Sequence, residues 1–319
     1  MVKSGLKRRD FWVKDLRVEG TVTGPGTVNF CEKTNIWYVD KGKTSGVSGD
    51  GSSWDEAFLT ITEAISSAND YDVIYIGPGF YTETATQTIT QVGLKIIGCN
   101  SSGKTRGPCG MKGPSGGVTT PIITINDNSN DVEIRNIAFI ATGAGKAIQL
   151  GSTNASAYTW RTHIHDCAFF GDGVGTYAIA VKGAVTNPSA GAFTDVAECV
   201  VEDCFFYDWI TAAICTYGTR MMNKNNVIFL GTAGAIGIVL GTGRPWAVIT
   251  YNQILGINSS SDQCIKITGD VANFIMDRNT VLNTNADAIT QDTGIASISS
   301  ENYVAVTGGV YSVFDTTNA

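Results

Sequence analysis

From Pro121 onward two patterns recur together, and a chain that repeats in two registers at one period builds a stack of coils. The first is an Asn or Asp, one residue, then an apolar pair: "RNIAF", "HDCAF", "EDCFF", "NNVIF", "YNQIL", "RNTVL" and "ENYVA". Its anchors are Asn136, Asp166, Asp203, Asn226, Asn252, Asn279 and Asn302, at spacings of 30, 37, 23, 26, 27 and 23. The second places a small residue before Ile148, Ile179, Ile214, Ile238, Ile265 or Ile289, 10 to 13 residues behind each anchor. Strands of three to five residues joined by Gly, Asn and Asp turns, with few helical stretches between them, predict an all-β parallel β-helix. They do not fit a βαβ sheet or a leucine-rich horseshoe.

Each column has a mechanical reading. A short Asn or Asp tolerates a tight bend, and its side chain can bond to the backbone or to its equivalent one coil away, so the anchors predict a solenoid ladder. The small-Ile column reads as the inward stack. Long insertions at "LGSTNASAYTWR" and "GAVTNPSAGAFTD" place loops on one side. The residues just before the anchors, Arg135, His165, Glu202, Asn225, Tyr251, Arg278 and Glu301, vary as a solvated strip would.

An open solenoid exposes its first coil, so it needs a cap. The stretch "GVSGDGSSWDEAFLTITEAISSAND" supplies one, because Thr60 followed by Glu63 has capping-box spacing. Ile61, Ala64, Ile65 and Ala68 then share one face of a short helix over about 60–68. The loop before it, 41–53, reads as polar and poor in packing residues, with Asp50 a candidate ion ligand. At the far end, "VYSVFDTTNA" reads as an open coil covered by another chain. The predicted organisation is an extended arm over 1–35 and one β-helix domain over 36–319, with clear coils over about 121–315.

The net charge of −7 argues against nucleic acid as a general partner. Residues 1–19 are the exception: Lys3, Lys7, Arg8, Arg9, Lys14 and Arg17 against Asp10, Asp15 and Glu19 leave them at +3. That suits docking on an acidic protein surface, and a frayed solvated tail is the plainer alternative. No apolar run is long and uniform enough to cross a bilayer, so a soluble chain made in a reducing cytoplasm is expected. The eight cysteines contain no CxxC pair, and neither a metal nor a cofactor is expected. Cys99 and Cys109 flank one loop and could pair in an oxidising medium.

Several residues are candidates for chemistry. His163 and His165 alternate on one strand and could move protons. Glycoside hydrolysis needs two carboxylates about 5–9.5 Å apart, a separation that acids on neighbouring coils can reach. Glu202, Asp208 and Asp287 are the acids considered, against the plainer reading of an incidental acidic surface. Trp160, Trp209 and Trp246 lie in or beside loops, where they could stack on sugar rings, anchor a protein partner, or cover a corner of the solenoid.

The block "WYVDKGKTSGVSGDGSSWDEAFLTITEAI", then "DVIYIGPGFYTE" and an Asn-studded solenoid, resembles the right-handed β-helix proteins of the pectin-lyase-like superfamily. Within it the chain looks most like virion-surface proteins of tailed bacteriophages, a group that includes capsid-decorating spikes and tailspikes. The resemblance implies a homotrimeric structural protein at the virion surface, docked on the major capsid protein or another virion protein through Lys7, Arg8, Arg9, Lys14 and Arg17. It also implies contact with host surface polysaccharide, and the alternative is a tailspike depolymerase. The polygalacturonase-like motifs are absent except for "NAD" at Asn285 to Asp287. No group of three acids matches the calcium site of the pectate-lyase-like members.

Overall fold

The computed structural model describes residues 34–314, apart from 44, 100–108, 114–120, 142–144, 152–158, 182–195, 217–219, 241–246, 257–262, 268–273, 284–287, 292–296 and 307–310. The arm lysines and arginines, Trp246 and Asp287 lie outside the described residues.

Each coil lays one strand into each of three sheets. Glu133–Arg135 belongs to sheet I, Ala138–Ile140 to sheet II and Lys146–Leu150 to sheet III; the chain then returns to sheet I at His163–His165, directly beside Glu133–Arg135. Repetition gives ten strands in sheet I, ten in sheet II and eight in sheet III among the described residues. Pairing between successive coils is parallel. The expected β-helix is the observed architecture.

The isoleucine column is confirmed by register: Ile148, Ile179, Ile214, Ile238, Ile265 and Ile289 sit opposite one another in sheet III. The first five are at most 1% exposed. Within sheet II the inward row stacks Phe139 on Phe169 and Phe169 on Phe206, at 5.1 and 4.8 Å between ring centroids and nearly coplanar. Ring separation thus equals the coil rise of about 4.8 Å.

The Asn/Asp ladder is two columns, not one. Register pairs Arg135, His165, Glu202, Lys224, Thr250 and Asp277 in a single row. The residue after each therefore forms one column: Asn136, Asp166, Asp203, Asn225, Tyr251, Arg278 and, one coil on, Glu301, all with φ between +49 and +58°. Asn, Asp and their like suit this left-handed corner. The next residue turns inward, giving Ile137, Cys167, Cys204, Asn226, Asn252, Asn279 and Asn302, all buried. Thus Asn136, Asp166 and Asp203 are corner residues, whereas Asn226, Asn252, Asn279 and Asn302 form the true ladder. A coil of 22 residues between Asp203 and Asn225 produced the slip.

The ladder satisfies itself. Each side-chain amide donates to the next Oδ1, Asn226 to Asn252 at 3.0 Å, Asn252 to Asn279 at 3.0 Å and Asn279 to Asn302 at 2.8 Å. The same oxygens accept the backbone N–H groups of Asn226, Asn252 and Asn279 at 3.0 Å. Each amide also donates to a carbonyl of the preceding coil, as Asn252 does to Asn223 O at 3.0 Å. Upstream, the thiols of Cys204 and Cys167 point at the matching carbonyls of Ile164 and Ile134 at 3.8 and 3.7 Å.

The amino-terminal end is sealed in two ways. The helix spans Ile61–Ser67 with Thr60 as N-cap and a complete capping box, and it buries Ile61, Ala64 and Ile65. The loop before it packs along the free edge of Ile36–Val39, contrary to expectation. Tyr38 N donates to Gly51 O at 2.9 Å, Phe58 N to Tyr38 O at 2.9 Å and Asp40 N to Phe58 O at 2.8 Å. Gly51 is required there, because its φ is +78° and a Cβ would lie 2.2 Å from the Phe58 ring. Asp72, 1% exposed, ties this end together by accepting from Asn35 N at 2.7 Å, Trp37 Nε1 at 2.9 Å and Asn69 N at 2.9 Å.

At the other end Tyr311–Phe314 folds back antiparallel on Asn302–Val306. The last edge of sheet II is therefore covered by the chain itself, which the reading of an open coil did not anticipate. Cys99 and Cys109 are free thiols, so the pairing open to them in an oxidising medium is not made here. Burial pushes Cys109 up to about 12 and raises Cys99, which keeps both protonated and poor in exchange.

Candidate functional site

Outward residues of sheet I gather the strongest cluster of ionisable groups. Lys95, Glu133 and His163 face out in one row, and Arg135, His165, Glu202 and Lys224 in the next. Strand alternation sends these side chains to solvent while Ile96, Ile134, Ile164 and Val201 fill the coil.

The cluster is interlocked. Glu133 lies 3.0 Å from Lys95 Nζ, 3.2 Å from Arg135 Nε and 3.3 Å from His165 Nε2. Glu202 lies 2.7 Å from His163 Nε2 and 2.5 Å from Lys224 Nζ. His165 Nδ1 meets Asp166 Oδ2 at 2.8 Å, and the two imidazoles stack at 4.2 Å between centroids. Burial works to raise both glutamates, but hydrogen bonds and charge outweigh it. Lys95, His165 and Arg135 hold Glu133 below the usual carboxylate range, and Lys224 and His163 do the same for Glu202.

These directions decide the chemistry. A general acid working near neutrality needs a raised carboxyl, and both glutamates are pushed the other way. They stay ionised, suited to holding cations in place or to accepting a proton.

Of the sequence candidates, His163, His165 and Glu202 come together here. Asp208 does not: it sits with φ +56° on the corner after sheet II, accepting from Thr232 Oγ1 at 2.7 Å. Trp160 is 39% exposed, open to a partner of any kind. Trp209 is 1% exposed and donates to Phe169 O at 3.2 Å, so it does not face a glycan. Gly175 makes room for it, since a Cβ there would lie 2.4 Å from the indole. Asp50 accepts from Ser52 N at 2.9 Å, which makes it a turn residue.

Sequence reasoning missed one recess. Asp40, Gly42, Lys43, Ser45, Trp54 and Asp55 line about 340 Å³ beside the first coil. Trp54 is 42% exposed and packs on Tyr38, 4.8 Å between centroids. An open indole beside two carboxylates offers a flat apolar surface and hydrogen-bond acceptors, the pair of features that a sugar ring uses. The signal was present in "SSWDEAF", where a tryptophan precedes two acids.

No protein-family model and no curated protein matches the chain. Among solved structures, a pectin methylesterase in complex with hexasaccharide VII is 14% identical with a TM-score of 0.56, covering 88% of this chain and 91% of that one. A variant pectin methylesterase in complex with hexasaccharide IV is 13% identical with a TM-score of 0.51, over the same shares. ORF18 of Geobacillus virus E2 is 12% identical with a TM-score of 0.38, covering 83% of this chain and 60% of that one. The first two likenesses establish the fold, a right-handed parallel β-helix, and nothing further.

Proposed function

We propose that the chain is a structural virion protein of a tailed bacteriophage, a homotrimeric β-helix spike on the capsid surface that aids attachment to host surface polysaccharide. The arm at Lys7, Arg8, Arg9, Lys14 and Arg17 docks it on the major capsid protein or another virion protein. The observation that carries a structural reading over a catalytic one is the state of Glu133 and Glu202. Both are held below the usual carboxylate range by partners on neighbouring coils, Glu133 by Lys95 and Glu202 by Lys224, which braces the outer face of sheet I and leaves neither with the raised carboxyl that a general acid needs. The virion assignment itself draws on the sequence resemblance and on the +3 arm. The recess at Trp54 suits glycan contact.

Locating the chain on assembled particles by labelled antibody tests the assignment. Capsid labelling is expected, and label on no part of the particle overturns it. A second reading, a tailspike depolymerase, is favoured by the half-exposed His163 bound to Glu202 at 2.7 Å. Reducing ends or unsaturated sugars released from host envelope polysaccharide by the purified chain, and lost in His163→Gln, would put that reading first.

A further inference from the structure

The outer face of sheet II differs from that of sheet I. The inward row of sheet II, from Phe139 through Ile228 to Val304, belongs to the coil interior. The residues on either side of that row point outward. One outward row runs Phe170, Tyr207, Phe229, Leu255 and Leu282, coil after coil. The row beside it passes from Phe205 and Val227 to Gln253, Thr280 and Tyr303. From Ala138 and Ile140 to the last described coil, neither row holds a charged side chain. Sheet I, on the same coils, puts Glu133, His163, Glu202 and Lys224 at its outward positions.

This strip changes character along its length. Ala138, Ile140, Ala168 and Phe170 are buried and form a second apolar cluster, separate from the coil interior, with Phe205 against it. Beyond them rings continue in contact, Phe170 to Phe205 at 5.9 Å and Phe205 to Phe229 at 5.6 Å. There the apolar side chains come to the surface: Tyr207 and Leu282 are each 40% exposed and Tyr303 58%. From Phe205–Tyr207 to Asn302–Val306 five strands at the usual spacing make this exposed part about 19 Å long. Apolar surface of that extent, rich in aromatic residues and free of charge, has the composition of an interface core. Asp203, Asn225, Arg278 and Glu301 on the corner column supply a polar rim along one margin.

We propose that copies of this chain associate side by side through the outer face of sheet II, with the apolar rows turned toward the rotation axis. The repeat of the strip selects the occupant. Side chains recur at the coil spacing over the whole strip, so a second rod of the same spacing meets it row for row. A globular partner would match it only locally, and a charged polysaccharide finds no charge on it. That the ring closes at three copies rests on the function proposed above.

The test uses the full chain. Sedimentation at micromolar concentration is expected to give a trimer for the unaltered protein and a monomer for Tyr207→Glu/Leu282→Glu, with association weakened at least about 100-fold. Both positions are surface-exposed in one chain, so the variant should keep its circular dichroism. Val248→Glu, on the outward row of sheet I, is expected to remain trimeric. If the unaltered chain is trimeric and the double variant stays so, this face is not the interface while the trimeric reading stands. If the unaltered chain is monomeric, both fail. Should the double variant misfold, carbene footprinting of the unaltered chain decides: protection of Tyr207, Leu282 and Tyr303 on going from nanomolar to micromolar supports the proposal, and unchanged labelling overturns it.

Discussion

Asn252→Asp swaps one Nδ2 group for an oxygen at the centre of the ladder. In the native chain Oδ1 of Asn252 accepts from Asn226 N and Asn226 Nδ2, both at 3.0 Å. Its Nδ2 faces Asn223 O at 3.0 Å, Thr250 O at 3.1 Å and Asn279 Oδ1 at 3.0 Å. An aspartate keeps the first pair of bonds but turns a buried anion toward three acceptors, on a residue that is 0% exposed. Breaking a buried polar arrangement in this way costs about 3–5 kcal/mol with the carboxylate ionised. Protonation restores one donor and reduces the cost to about 1–2 kcal/mol.

The carboxyl in the folded variant is thus raised above its unfolded value of about 3.9. The folded state holds the proton more tightly, so the variant is most stable at low pH and loses stability as pH rises toward the folded value. The difference between the ionised and protonated costs puts that loss at about 2 kcal/mol between pH 5 and pH 8. Stacked repeats open in segments, so the readout is native-state hydrogen exchange over residues 221–230 together with urea denaturation. Asn136→Asp is the control: the same exchange on the corner column, where Asp166 and Asp203 already sit, should cost less than about 0.5 kcal/mol. A cost below about 1 kcal/mol at pH 8, or one that does not change with pH, would refute the account of the ladder as a set of amide donors.

Three further outcomes follow from other buried groups. Burial pushes Lys146, 3% exposed, down to about 8, where its amine donates to Gln149 Oε1 at 2.6 Å. The unfolded chain then binds a proton that the folded one lacks above pH 8, so native stability should gain about 2 kcal/mol between pH 7.5 and 10, a gain absent in Lys146→Met when the two urea curves are compared. Asp72→Asn leaves one oxygen for three donors and should cost about 2 kcal/mol, seen as faster exchange at Asn35 and Asn69. The wild-type carboxylate is opposed by burial but held low by those donors, so its contribution is complete above about pH 3.9 and disappears as acid titrates the folded group; the variant should show a shallower acid limb. Gly51→Ala should lower the melting temperature more than Gly46→Ala does, because Gly46, at φ +62°, has open space where a Cβ would go, so its substitution carries only the backbone cost of about 1 kcal/mol.

How much was legible depends on whether a position obeys one constraint or two. The inward isoleucines answer only to the core, and Ile148 through Ile289 were readable without error. Asn and Asp serve both the left-handed corner and the interior ladder, so Asp203 and Asn226 looked equivalent although they differ by one register step. The helix was legible from Thr60 and Glu63 because a cap is local. Contacts set by coil length were hidden: nothing in the sequence says that Glu202 reaches Lys224 and His163, since those pairs depend on coils of 37 and 22 residues. Trp209 was misplaced for a related reason, its burial being decided by Gly175, a whole strand of another coil away.

The change of residue type along the inward corner column divides the rod. From Asn226 to Asn302 a continuous zipper of side-chain amides runs along the stack, so each pair of neighbouring coils there is joined by a buried side-chain bond in addition to its sheets. Up to Cys204 the same column offers only weak thiol donors and an isoleucine, and coils there are held by the same parallel sheets with stacked rings and surface ion pairs. The junction at Cys204 and Asn226 therefore marks a change from coils held by their sheets and packing to coils that also share a buried amide bond with each neighbour.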